Sequence, residues 1–113
     1  MNTTDYQLTA YDASTTVINT TTQLDSTPGW INLYFPYSSG AIGSTALVAN
    51  ATLPNGSNVG DQIFIAAYLN TPYETINVYM PSSLGSLTFS SSSNYRYLLV
   101  WSGTIWNAFA AIF

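Results

Sequence analysis

From Pro28 onward, turn-forming clusters cut this chain into a succession of short strand-like runs. The breaks fall at Pro28-Gly29, Ser38–Ser44, Pro54–Ser57, Gly60-Asp61, Asn70–Tyr73, Pro81–Gly85, Ser90–Asn94 and Ser102-Gly103. Glycine, proline, asparagine and serine supply the backbone angles that reverse a chain. Between the breaks lie runs rich in β-branched and aromatic residues, which suit a pleated, half-buried strand. These runs are Trp30–Tyr37 (interrupted at Pro36), Ala46–Leu53, Gln62–Leu69, Thr75–Met80, Leu87–Phe89, Tyr95–Trp101 and Thr104–Phe113. Thr75–Met80 alternates, with Ile76, Val78 and Met80 on one face and Asn77 and Tyr79 on the other.

The last run carries Trp106, Phe109, Ala110 and Phe113 at helical spacing. A strong strand and a two-residue turn precede it, so a hairpin is the simpler reading. That hairpin sets Trp101 opposite Thr104, Val100 opposite Ile105 and Leu99 opposite Trp106. As a strand, the run is apolar on both sides, and such a strand is covered on both sides. The cover is either a second subunit or a central place in the chain's own sheet. Trp101, Trp106, Phe109, Ile112 and Phe113 are the interface candidates, and the terminal Phe113 is expected to be packed.

Residues 1–28 are rich in threonine, serine and asparagine and poor in large apolar residues. They read as an extended arm that becomes ordered on a neighbour, followed by a β-domain at 29–113. The expected fold is all-β: a small antiparallel β-sandwich or jelly-roll-like barrel of about seven or eight strands, with an extended N-terminal arm. The sequence shows no internal repeat.

Composition narrows the function. Charged residues are 5% of the 113 residues, against roughly 25% in ordinary soluble domains. There is no histidine, cysteine or lysine, and Arg96 is the sole basic residue. Most catalysis needs a group titrating near neutral pH, a thiolate or an ammonium, so the chain is not expected to be an enzyme. One cation cannot neutralise a phosphate backbone or an anionic bilayer, which excludes nucleic-acid and electrostatic membrane partners. No apolar run reaches the roughly 20 residues of a membrane span. The opening Met1–Leu8 has neither a basic nor an apolar leader region. Any extracellular destination would need another route, such as release with a particle. A surface this poor in charge is either neutral and polar or hidden in a partner; depletion of charge at interface cores favours the partner.

Among polar residues, Asp61 is expected to bond backbone N–H groups at its turn, not a metal. Arg96, between Tyr95 and Tyr97, is expected to make a structural ion pair with Asp61, Glu74 or a partner carboxylate, or to stack on a tyrosine. No carboxylate pair at hydrolytic spacing emerges from Asp5, Asp12, Asp25, Asp61 and Glu74. No cofactor is expected. Exposed Trp30, Tyr34, Tyr68, Tyr73 and Tyr79 would allow glycan stacking, although aromatics at strand spacing more often fill cores or interfaces.

Two segments taken together resemble bacteriophage virion proteins: Thr52-Leu-Pro-Asn-Gly-Ser-Asn-Val-Gly-Asp-Gln-Ile-Phe-Ile65 and Tyr97-Leu-Leu-Val-Trp-Ser-Gly-Thr-Ile-Trp-Asn107. The order is a Leu-Pro loop, a Val-Gly-Asp and strand, then a late aromatic hairpin. It is similar to small β-domains of tail fibres and capsid decoration (cement) proteins, over residues 47–113. The resemblance implies a structural protein on the capsid surface of a virion, often a homotrimer, bound to the major capsid protein or another virion protein. It implies no catalytic residues. The alternative is a carbohydrate- or receptor-binding fibre tip, and the short chain beginning at Met1 favours decoration.

Overall fold

The structure, a computed structural model, describes residues 2–12, 21–35, 47–69, 74–80, 86–90 and 96–111. They form ten strands: β1 (Asn2–Gln7), β2 (Ala10–Asp12), β3 (Thr22–Gln23), β4 (Gly29–Tyr34), β5 (Leu47–Thr52), β6 (Gln62–Tyr68), β7 (Glu74–Tyr79), β8 (Ser86–Ser90), β9 (Arg96–Trp101) and β10 (Trp106–Ala111). Sheet A has the order β1-β4-β6-β9-β10. Sheet B has the order β2-β5-β7-β8, with β3 also paired to β5. The all-β class holds, and the strands from β4 onward lie within or beside the runs between the turn clusters.

The expectation of antiparallel sheets is corrected. Both sheets are mixed, because β1, β4 and β6 run parallel in sheet A, as do β3, β5 and β7 in sheet B. Parallel neighbours cannot be joined by a tight hairpin and need a crossover. Here the crossover is a strand of the other sheet: the chain passes from β4 in sheet A to β5 in sheet B and back to β6. Antiparallel pairing returns with β7–β8, β6–β9 and β9–β10.

This winding repeats one packing device. Leu8 donates its N–H to the Tyr34 carbonyl at 3.0 Å, and Phe35 donates to Tyr68 at 3.0 Å. In sheet B, Leu24 donates to Thr52 and Leu53 to Tyr79, both at 2.9 Å. Each parallel ladder thus runs one residue past its strand, and the extra residue is a large apolar one. Leu8, Phe35, Leu24, Leu53 and Met80 are all buried. They join Ile31, Leu33, Ile63, Ile65, Ile76, Val78, Phe89 and Leu99 in one core drawn from both sheets.

The described part of residues 1–28 is therefore domain, not arm. β1 is the edge strand of sheet A, β3 pairs with β5, and Leu8 and Leu24 sit in the shared core. The polar residues of β1, Asn2, Thr3, Thr4, Asp5 and Gln7, show no apolar alternation because an exposed edge strand needs none. Gly29 fixes the close approach of β1 to β4, since a Cβ there would fall on the Asn2 carbonyl oxygen. Gly29→Ala should lower the unfolding free energy by about 1–3 kcal/mol, the usual cost of overpacking, measured by urea denaturation. An unchanged midpoint would remove Gly29 from this role.

The hairpin register also differs from expectation. Trp106, not Thr104, stands opposite Trp101, and Leu99 faces Ala108. The loop spans residues 102–105 because the Ser102 hydroxyl closes it. That oxygen accepts from Ile105 N–H at 3.1 Å and from Thr104 N–H at 3.3 Å, while Ser102 N–H donates to the Ile105 carbonyl at 3.0 Å. The slip is two residues, so every side chain keeps its face.

Candidate functional site

The outer face of sheet A collects the exposed aromatic residues. Strand alternation points Trp30, Asn32 and Tyr34 outward from β4, and Phe64, Ala66 and Tyr68 outward from β6. The pairing then sets these side chains in rows. One row runs Thr3, Trp30, Phe64, Leu98, Phe109 across all five strands. Its last four members form an apolar ridge, with Trp30 36% and Phe109 56% exposed. A second row runs Gln7, Tyr34, Tyr68. Between them lies the row Asp5, Asn32, Ala66.

The rings are cross-strand pairs. Trp30 stacks on Phe64 with centroids 4.5 Å apart and planes 18° apart; Tyr34 stacks on Tyr68 at 4.9 Å and 13°. These separations match the ~4.8 Å spacing of neighbouring strands. Rings lying flat on the sheet could not approach so closely, so they stand on edge and cover one another's faces. In the row between, Asn32 Nδ2 donates to Asp5 Oδ1 at 2.9 Å. Partial desolvation, then the Asp5 charge and Tyr68, push the Tyr34 hydroxyl above its ordinary pKa. The outer face of sheet B is polar by contrast: Asn77 Nδ2 donates to Asn50 Oδ1 at 3.4 Å, and the Thr88 hydroxyl donates to Asn77 Oδ1 at 3.1 Å.

Two of the interface candidates are corrected. Trp101 and Trp106 are 5% and 3% exposed and belong to the chain's own core. They pack against each other at 5.3 Å, and the Trp106 indole N–H donates to the Pro54 carbonyl at 2.9 Å. The 53–61 loop closes over them: a Cβ on Gly56 would lie 2.5 Å from Trp101 Cγ. Phe109 is exposed on β10. Ile112 and Phe113 lie outside the described residues.

Asp61 sits in the same loop, where its Oδ2 accepts from Asn58 N–H at 3.1 Å. Its backbone joins sheet A, with Trp101 N–H donating to the Asp61 carbonyl and Gly60 N–H to the Trp101 carbonyl. Arg96 is exposed on β9, and Glu74 is buried on the inward side of β7. Asp25 forms a turn with Thr27, whose N–H and hydroxyl both donate to Asp25 Oδ1 and hold its carboxyl below the usual value. Of the five glycan candidates, Trp30, Tyr34 and Tyr68 share the outer face of sheet A. Tyr79 is exposed on sheet B, and Tyr73 lies outside the described residues.

Among the described residues no three acidic, histidine or cysteine side chains group as a metal site, and no helix is long and apolar enough to cross a membrane. Comparison with protein-family models, curated proteins and solved structures gave no match. Sequence reasoning named Trp30, Tyr68 and Phe109 separately but missed Phe64 and Leu98 as their neighbours. Each is one outward residue of its own strand, and only the register lines them up.

Proposed function

We propose that this chain is a structural protein of a virus particle, a two-sheet sandwich that decorates or cements a phage capsid through apolar contacts. The observation that supports this reading most is the ridge Trp30–Phe64–Leu98–Phe109. Contiguous exposed apolar surface on a small domain marks a protein-binding face, and charge is depleted at the cores of such faces. The ridge carries no charged side chain. The motif order at 52–65 and 97–107 supports a phage particle as the assembly.

The glycan-binding alternative rests on Trp30, Tyr34 and Tyr68 sharing one face beside Asp5 and Asn32. It is the weaker reading, because each of the two ring pairs uses a face of each member on its partner. Sugars stack on open ring faces.

The test is composition of the particle. Virus particles banded on a density gradient from the source culture should contain this chain at a fixed ratio to the major capsid protein. Its absence from banded particles, with the chain found free in the lysate, would overturn the assignment. Quenching of tryptophan fluorescence by soluble glycans would move the reading to the alternative.

A further inference from the structure

We propose that β10 is a self-pairing edge, through which two copies of the chain join antiparallel about a two-fold axis at Phe109 into one continuous sheet. The occupant of this edge is a second copy of the chain, whichever larger assembly the protein joins.

The first observation is an overhang. Among the described residues, sheet A has five strands abreast, whereas the main path of sheet B has four. β9 lies over β8, as the edge-to-face contact of Tyr97 with Phe89 at 5.5 Å shows. β10 extends beyond. Trp106 at its start is buried, but Asn107, Ala108, Phe109 and Ala110 are all exposed. Ala108 and Ala110 point to the inward side, where the other strands carry core residues. Beyond Trp106 the strand is apolar on both faces except at Asn107, and among the described residues nothing covers either face there.

The second observation is the hydrogen-bond phase of the free edge. In an antiparallel pair the N–H and C=O of one residue point to the same side, alternating along the strand. The Ser102 N–H to Ile105 carbonyl bond aims Ile105 at β9. Trp101, opposite Trp106, aims both its groups the other way, at Gly60 and Asp61. Trp106, Ala108 and Ala110 therefore present N–H and C=O to the open edge, and Phe109 presents its own to β9. A two-fold axis at Phe109 pairs Ala108 with the second copy's Ala110, and Ala110 with the second copy's Ala108. These are bonded pairs of the correct phase. Phe109 then faces its own copy across the close, non-bonded position.

The third observation is complementarity. The apolar ridge ends on Phe109, at the open edge. Centring the pair one residue earlier would set Phe109 against Asn107, whereas this register sets ridge against ridge. No like charges meet: Ala111, the partner of Arg96 on β9, comes opposite the second copy's Asn107. The other edge of sheet A, β1, turns Thr3, Asp5 and Gln7 outward. A charge on an edge strand guards it against pairing, so β1 is the protected edge and β10 the open one.

Sedimentation equilibrium of the full chain tests this. The expected mass is twice 12.2 kDa. Ala110→Pro removes an N–H that points to the open edge and leaves the β9 ladder intact. Phe109→Lys sets two like charges directly opposite each other. Each should halve the mass while keeping the wild-type circular dichroism, and Val59→Lys, on the exposed 53–61 loop, should leave it doubled. If Ala110→Pro fails to fold, Phe109→Lys decides alone, since its side chain is exposed in the single chain. A wild-type mass of one or three chains overturns the proposal, as does a doubled mass retained by Phe109→Lys. A single-chain mass in a protein that still attaches to particles would refute the pairing and leave the proposed function standing.

Discussion

Removing residues 1–28 should abolish cooperative folding. The fragment 29–113 would lose Leu8 and Leu24, which are 2% and 1% exposed. Truncating one buried leucine to alanine costs about 2–5 kcal/mol, and a domain holds only about 5–15 kcal/mol in total. Losing both side chains outright consumes most of that reserve. The fragment would also lose β1, exposing the edge of β4 and one side of the Trp30 ring. The bond from Asp25 N–H to the Tyr6 hydroxyl, 2.8 Å, would go too. Circular dichroism and a thermal melt check this, with Leu8→Ala and Leu24→Ala each lowering the unfolding free energy by about 2–5 kcal/mol as graded versions. A fragment that melts cooperatively with native tryptophan ellipticity would make residues 1–28 an appendage after all.

Trp101→Ala should lower the unfolding free energy by about 3–5 kcal/mol, the range for emptying a buried aromatic site. The site cannot collapse easily. Trp101 is gripped by Trp106 on one strand and by the Gly56 backbone on the covering loop, and that loop is pinned through Pro54 and Asp61. The loss should therefore fall at the upper end of the range. Chemical denaturation with fluorescence measures it. A loss under about 1 kcal/mol, the level of ordinary surface substitutions, would show that the tryptophan pair is not part of the core.

The strands from β4 to β9 were legible in the sequence because each is an apolar, β-branched or aromatic run bounded by turn residues with a face to bury, and β10 because an apolar run follows the Ser102-Gly103 turn. Ile76, Val78 and Met80 face inward as the pattern required. The hairpin was legible in its faces and wrong in its loop, because the Ser102 hydroxyl, a side-chain bond, sets the loop length. β1 and β3 were not legible as parts of the sheets. Their partners are parallel strands some 27 to 29 positions later, as Asn2 with Gly29 and Thr22 with Ala51, and no local turn signal announces such a pair. The parallel winding was hidden for the same reason: composition marks a strand but not the sheet it joins. The ridge on sheet A draws one residue from each of four strands, so it exists in the register and not in any segment. The charge-poor composition shows on this face as a ridge whose four side chains carry no charge.

In the proposed function, attachment to the particle rests on apolar area and not on charge. The measurement that tests it most directly is occupancy of this chain on purified particles between about 0.1 and 1 M sodium chloride, a range over which the screening length falls from roughly 10 to 3 Å. Occupancy should stay unchanged for the wild-type protein and fall when Trp30 and Phe64 are both replaced by serine. Release of the wild-type chain as salt rises would contradict it, because only an ionic contact weakens that way.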